Sequence, residues 1–289
     1  MISKRAYAKI NLGLDVTGKR DDGYHIVRMI MQNVDIYDTL TFEKTYGGEI
    51  HLKFSGGDVP ESSDNLIWKV CSLLKEKYNI ADGVTINLEK NIPIAAGMAG
   101  GSADAAATFY GMNELFDLNM NQDEMCKMAV DLGADIPYCI MGGTMLSEGI
   151  GEVLTKLPDF PKCYIVVGKP EVGVSTGWVY KSLDALSGYE HPDIDGICDS
   201  IKSSDLNGVC NRLLNVLEGV TAPKYDIIGK IENVMEDNGA IKAIMTGSGP
   251  TVFGIYDNED LAKGAYEALE KENLCKQLFI TKPINPQYK

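Results

Sequence analysis

Residues 91–111, NIPIAAGMAGGSADAAATFYG, set glycine and alanine around one serine and then run into an alanine-rich stretch. This is the composition of an anion cradle. Glycines at 97, 100 and 101 permit backbone angles that other residues resist, so consecutive N–H groups can converge on one phosphate. A helix beginning near Ser102 adds partial positive charge at its N-terminus, with Ser102 either capping it or turning its hydroxyl to a phosphate or metal. Neither GxxxxGK[ST] nor GxGxxG is present, which excludes the Walker and dinucleotide fingerprints and leaves the loop without its own lysine. Asp104, in the first turn of that helix, repels an anion unless it points away or shares a magnesium ion.

Three other places carry usable chemistry. Lys9 and Asn11 alternate on a strand and fall on one side of it, where a lysine serves either as a solvated surface cation or as the missing positive charge. Asp135, in LGADIPYC, stands at a helix start. There it can take a proton from an alcohol if a cation keeps it ionised, or simply act as the helix N-cap. TGSGPT, with Gly247, Ser248 and Gly249, is a second small-residue loop before an apolar strand, suited to a phosphate site or to a plain turn.

The elements that must position these groups follow from periodicity. Ala8, Ile10, Leu12, Leu14 and Val16 alternate with Lys9, Asn11, Gly13 and Asp15, the pattern of a half-buried strand. RDDGYH (20–25) makes a turn, and 26–42 return as strands. Residues 49–54 and 83–89 also alternate. Between them Leu66, Val70, Leu73, Leu74 and Tyr78 keep helical spacing, with Asp64 as the expected N-cap. After the loop, Ala105, Phe109, Met112 and Phe116 mark the buried stripe of a helix. A further helix is expected at 122–132, several after a strand at 163–168, including 225–237, and one at 259–272, with strand pairs at 142–157 and 243–257 and a final strand at 277–283. The two prolines of LPDFPK place a domain boundary between 157 and 158. Strand pairs outside strict β–α alternation indicate an α+β fold in two lobes, residues 1–157 and 158–289.

Composition narrows the function classes. A chain of 289 residues with 45% hydrophobic and 24% charged residues reads as globular. Its net charge of −14 argues against nucleic acid or an anionic membrane as partner. No long apolar run or signal-like start is visible. Seven scattered cysteines without a CxxC pair read as reduced thiols in a cytoplasmic protein, and three histidines without ligand spacing disfavour zinc.

Taken in order, AKINLGLDV, PIAAGMAGGSADAAA and MTGSGPTVF resemble the three characteristic regions of the GHMP kinases, the superfamily of galactokinase, homoserine kinase and mevalonate kinase. With AKINLGLDVTGKRDDGYH, DNLI, LGADIPYCIMGG, EGIGE and GVSTGWVY added, the likeness covers residues 6 to about 256. It is strongest to the branch acting on a cytidylyl-methylerythritol alcohol in non-mevalonate isoprenoid synthesis. The resemblance implies a two-lobed fold, with an N-terminal ATP-binding domain of mixed sheet and helices and a C-terminal α/β sandwich-like domain. It implies ATP as co-substrate, Mg2+ with its protein ligands left open, and a monomer or homodimer.

By matching position, Asp135 becomes the general base and Lys9 its catalytic partner. The ATP loop comprises Pro93, Ile94, Ala95, Ala96, Gly97, Met98, Ala99, Gly100, Gly101, Ser102 and Ala103, with Asn65 near the adenine. Tyr24, His25 and Tyr180 match the cytosine-holding residues, and Asn11 and Thr176 orient the substrate. Met98 and Ala103 depart from the family's leucine and second serine, and Ala103 removes a hydroxyl that a metal would otherwise use. Another small alcohol as acceptor, or a non-catalytic nucleotide-binding relative, is the competing reading.

Overall fold

The computed structural model describes residues 1–55 and 64–286. The first lobe runs β1 (Ile2–Lys19), β2 (His25–Thr45), β3 (Ile50–Ser55), α1 (Leu66–Lys77), β4 (Gly83–Glu89), α2 (Gly100–Leu115), α3 (Gln122–Ala129), α4 (Ile136–Met141), β5 (Thr144–Glu148) and β6 (Val153–Lys156). The second runs β7 (Tyr164–Lys169), α5 (Thr176–Leu183), α6 (Ile194–Lys202), α7 (Leu206–Cys210), α8 (Glu218–Thr221), α9 (Ile227–Asp237), β8 (Lys242–Met245), β9 (Val252–Tyr256), α10 (Glu259–Lys271) and β10 (Gln277–Thr281).

β2 organises the first sheet. β1 pairs antiparallel along its whole length, while β4 and β5 pair with its two ends, and β3 and β6 extend the edges. The segment expected as several returning strands is this one continuous strand. The second sheet, in the order β10-β7-β9-β8, is antiparallel throughout. Its edge is joined to the first sheet by the chain after β10: Asp35 donates its amide to the Lys282 carbonyl at 3.1 Å, and Ile284 donates to Asn33 at 3.0 Å. From the other side, Leu14 donates its amide to the Leu214 carbonyl and accepts from the Val216 amide, which ties β1 to the segment before α8.

β1 departs from the half-buried expectation. Its apolar set is buried, but Lys9 (4% exposed), Asn11 (0%) and Asp15 (7%) are buried too. Their face meets the glycine loop and α6 instead of solvent; a side chain at Gly13 would sit 2.8 Å from Ile197. Pairing shifts between Tyr7 and Lys9, Asn11 and Gly13, and Val16 and Gly18 bend the strand around these contacts.

α2 likewise exceeds its expected stripe. Residues 103–112 are all buried, because β1 and β2 cover one side and α1 and α4 the others, whereas Phe116 falls just past the end as the C-cap, half-buried. Alanine suits this place, since it carries high helix propensity and lets the sheet approach closely. The closest approach is at Gly111, where an added Cβ would lie 2.4 Å from the Phe42 ring. We therefore expect Gly111→Ala, despite better helix propensity, to cost about 1–3 kcal/mol through overpacking. A lower urea midpoint at unchanged m-value checks this, and a midpoint equal to the parent's rules it out.

Candidate active site

The glycine loop, the N-terminal end of α1, the β1–β2 hairpin, α5 and the 246–249 loop enclose a cavity of about 1300 Å³. That exceeds the few hundred to a thousand Å³ of a single small-ligand site and leaves room for two ligands side by side. Every residue assigned from the sequence to the active site lines it except Ala103, which is buried in α2, and Gly249, the last residue of the second loop.

Within the first loop, left-handed backbone occurs at Ala95 (φ 51), Gly97 (φ 71) and Ala99 (φ 57). Left-handed residues at alternate positions are the kind of backbone from which anion nests are built. Two of the three positions are alanines, which bear a strain of about 1–2 kcal/mol each. Gly100 and Gly101 are helical, so their use differs from the expected freedom of angle. At 100 the reason is proximity, since a Cβ there would lie 3.0 Å from Lys90 Nζ and 3.1 Å from Ile92. The helix thus starts at Gly100 with Ala99 as its N-cap and no side-chain cap, so Ser102 does not cap it and keeps its hydroxyl free of that task. Gly97 packs directly on the second loop: a Cβ on it would fall 2.4 Å from the Thr246 carbonyl. Gly247 (φ 58) returns the contact, 2.9 Å from the Gly97 carbonyl by the same measure, and Gly249 (φ 83) is also left-handed.

Lys9 forms the floor. Its Nζ donates to Asn11 Oδ1 at 2.5 Å and to the Gly97 carbonyl at 3.0 Å, and its amide donates to Met98 at 3.2 Å. Asn11 in turn donates its amide to Thr246 Oγ1 at 3.0 Å. One strand thereby fixes both small-residue loops. Burial pushes the Lys9 ammonium's proton affinity down, opposed by the negative charge of Asp135. Asp135 is the N-cap residue of α4, but its side chain makes no cap hydrogen bond; Pro137 stands in the first turn, and the half-buried Asp135 lines the cavity.

A buried triad that sequence reading missed lies at the loop's entrance. Lys90 Nζ bridges Asp38 at 2.5 Å and Asp104 at 2.8 Å. Asp38's other oxygen accepts the amides of Asn91 and Ile92 at 2.6 and 2.7 Å. Asp104 is therefore bound to a lysine and removed from competition with an incoming anion. Burial pushes its carboxyl up, opposed by Lys90. The only signal in the sequence is that Lys90 immediately precedes the loop. Asn65, not Asp64, caps α1, its Oδ1 accepting the Ile67 amide at 2.9 Å.

At the opposite end, His25 stacks on Tyr180 with ring centroids 4.7 Å apart and planes at 29°, while Tyr24 is 59% exposed at the mouth. Burial raises the Tyr180 phenol and keeps it neutral. Thr176 Oγ1 and Ser248 Oγ lie 2.9 Å apart, joining the start of α5 to the second loop. Asp184, also missed, binds both Lys19 and His25.

Two outcomes are expected. Lys90→Met leaves two buried carboxylates uncompensated and costs about 3–5 kcal/mol. Adding Asp104→Asn to it restores part of the loss in a double-mutant cycle, whereas additive losses would show the triad to be uncoupled. Lys9, followed by NMR of labelled lysines, releases its proton below the ordinary value of about 10.4. Asp135→Asn moves that titration lower still, because desolvation is then less opposed.

Comparison with known proteins follows the same lines. The profile for the GHMP kinases N terminal domain matches residues 65–143, and that for GHMP kinases C terminal matches 182–274. The 4-diphosphocytidyl-2-C-methyl-D-erythritol kinase of Lachnospira eligens is 48% identical over 99% of both chains. That of Acetivibrio thermocellus is 48% identical over 98% of this chain and 99% of its own. A crystal structure of 4-(cytidine 5'-diphospho)-2C-methyl-D-erythritol kinase superposes with TM-score 0.83 at 29% identity, covering 99% of this chain and 100% of that one. Homoserine kinase from Cytophaga hutchinsonii, at TM-score 0.77 and 17% identity, shares the fold. Similar from end to end to such relatives, the chain belongs to the GHMP kinases, in the branch of the 4-diphosphocytidyl-2-C-methyl-D-erythritol kinases.

Proposed function

We propose that the protein transfers the γ-phosphoryl group of ATP to the tertiary 2-hydroxyl of 4-diphosphocytidyl-2-C-methyl-D-erythritol. The observation that carries this reading is the single cavity joining a strained amide nest, a buried lysine, an uncommitted aspartate and an aromatic platform. ATP fits the nest end. The amides and the start of α2 receive its phosphates, and Asn65 at the start of α1 lies beside the adenine. The cytosine fits the aromatic end, between Tyr24 and Tyr180, with His25 against its edge. The reacting hydroxyl then falls between the two, near Lys9 and Asp135.

In the transfer, a bond forms from the hydroxyl oxygen to the γ-phosphorus as the bond to the ADP oxygen breaks. Asp135 takes the hydroxyl proton. Lys9 keeps that carboxylate ionised and balances charge on the transferring group, already held in place by Asn11 and Gly97. Thr176 and Ser248 act as a paired hydroxyl contact beside the substrate's phosphates.

Magnesium suits the donor set. Among the described residues no cluster of three or more His, Cys, Asp or Glu forms a metal cage, and Asp104 and Asp184 already bind cations. Such surroundings fit an ion held chiefly by nucleotide phosphates and water, with Ser102 or Asp135 as protein contacts and no need for a hydroxyl at Ala103. When bound, it neutralises charge on the β- and γ-phosphates. The seven free cysteines, five of them buried, fit a reducing cytoplasm.

Purified protein with ATP, magnesium and the cytidylyl substrate is expected to yield ADP and the 2-phosphorylated product. Asp135→Asn and Lys9→Met each lower kcat by about 10²–10⁴-fold, while Asp135→Asn still binds an ATP analogue in calorimetry. Parent-like turnover in Asp135→Asn would refute the base assignment, and no turnover of this substrate by folded parent enzyme would refute the function.

A further inference from the structure

Asp184, the C-cap of α5, reaches from the second lobe to the β1–β2 hairpin of the first. One carboxylate oxygen meets Lys19 Nζ at 2.6 Å and the other meets His25 Nε2 at 2.7 Å. Lys19 and then His25 hold the Asp184 carboxyl below its ordinary range, so it is ionised and accepts only. An atom bonded to such an acceptor must carry the proton. Nε2 of His25 is therefore N–H, and in the neutral ring Nδ1 is left with a lone pair. Stacking on Tyr180 holds the imidazole plane. Among the described residues no hydrogen bond is formed by Nδ1, and the residue lines the cavity.

We infer that Asp184 is a positioning residue for base specificity: it fixes the His25 tautomer that presents an acceptor to the pyrimidine pocket, and so selects an exocyclic amine over a carbonyl. This rests on the cytidylyl reading above. Cytosine offers an N–H donor at its 4-position, which Nδ1 can accept. Uracil offers a carbonyl oxygen there, and two facing acceptors leave both unpaired in a desolvated pocket. Lys19 contributes by keeping Asp184 charged, although neither residue needs to touch the base. A neutral amide in place of Asp184 can turn either its oxygen or its NH₂ to Nε2, so the ring takes either tautomer and the filter is lost.

The test compares kcat/KM for the cytidylyl substrate and its uridylyl analogue at about pH 8, where an ordinary imidazole is neutral. In Asp184→Asn the preference for the cytidylyl form falls by about 10- to 100-fold, the worth of one hydrogen bond in such a pocket. The change appears mainly in KM, rising for the cytidylyl and falling for the uridylyl substrate. Asp184→Glu, which keeps the charge, retains the preference. An Asp184→Asn enzyme weakened equally toward both substrates would overturn the inference, since that is what a structural role alone predicts. Nitrogen NMR of the parent's labelled imidazoles, assigned through His25→Gln, gives a readout independent of turnover. Protonated Nε2 with bare Nδ1 supports the proposal, and the reverse pattern overturns it. A parent enzyme that turns over neither nucleotide refutes the function itself, a failure distinct from an unchanged ratio.

Discussion

A lysine ammonium buried under a glycine loop is the constraint from which most of this molecule's architecture follows. Removing such a charge from water costs several kcal/mol unless oxygen atoms replace its hydration shell. Lys9 obtains them from Asn11 Oδ1 and the Gly97 carbonyl, with the Asp135 charge nearby. For the Gly97 carbonyl to be there, the loop must turn left-handed three times and press against Thr246 without any Cβ between them. For Asn11 to be there, β1 must bend and bury a face that its sequence marks as polar. The same contacts that satisfy the cation therefore shape the site it serves.

The two lobes are locked by the strand that carries this lysine. β1 belongs to the first sheet, yet exchanges bonds through Leu14 with the second lobe at Leu214 and Val216. Asn215, between them, donates to the Met245 and Gly247 carbonyls at 2.8 Å each, holding the second loop from behind. The chain after β10 closes the other side onto β2. With both loops fixed to shared backbone, they cannot drift apart independently, which suits a phosphoryl transfer dominated by positioning.

The acidic character of the chain is met locally. A net charge of −14 opposes an anionic nucleotide at long range, but screening confines that field to about 10 Å or less at ordinary salt. Within the cavity, Asp104 is matched by Lys90 and Asp184 by Lys19, which leaves the loop amides and Lys9 less opposed at the proposed phosphate end. Asp135 stays outside these pairings, which is consistent with the role of proton acceptor proposed for it.

Short-range information in the sequence was enough for the order and kind of most elements, though not for the separate placing of α5 to α8. Strand alternation, helical spacing and the Pro and Gly signals all act over a few residues. The same holds for the motif triplet that marked the family, and for the loops themselves, whose small residues have few other uses in such density. What the tertiary structure decided are matters of distance between remote segments. The Asp38–Lys90–Asp104 triad and the Asp184–His25 contact join residues 14 to 159 positions apart, and nothing in local pattern records them. Taken alone, Lys9 read more readily as a solvated strand lysine, because alternation reports which side of a strand a residue is on and not what covers that side. The glycine at 100 was legible as needed but not why, since a tight contact and a left-handed turn select the same residue. By itself the sequence determined which groups are present and on which elements. Only packing between lobes decided which charges are desolvated and paired, because those energies depend on the partner across the gap.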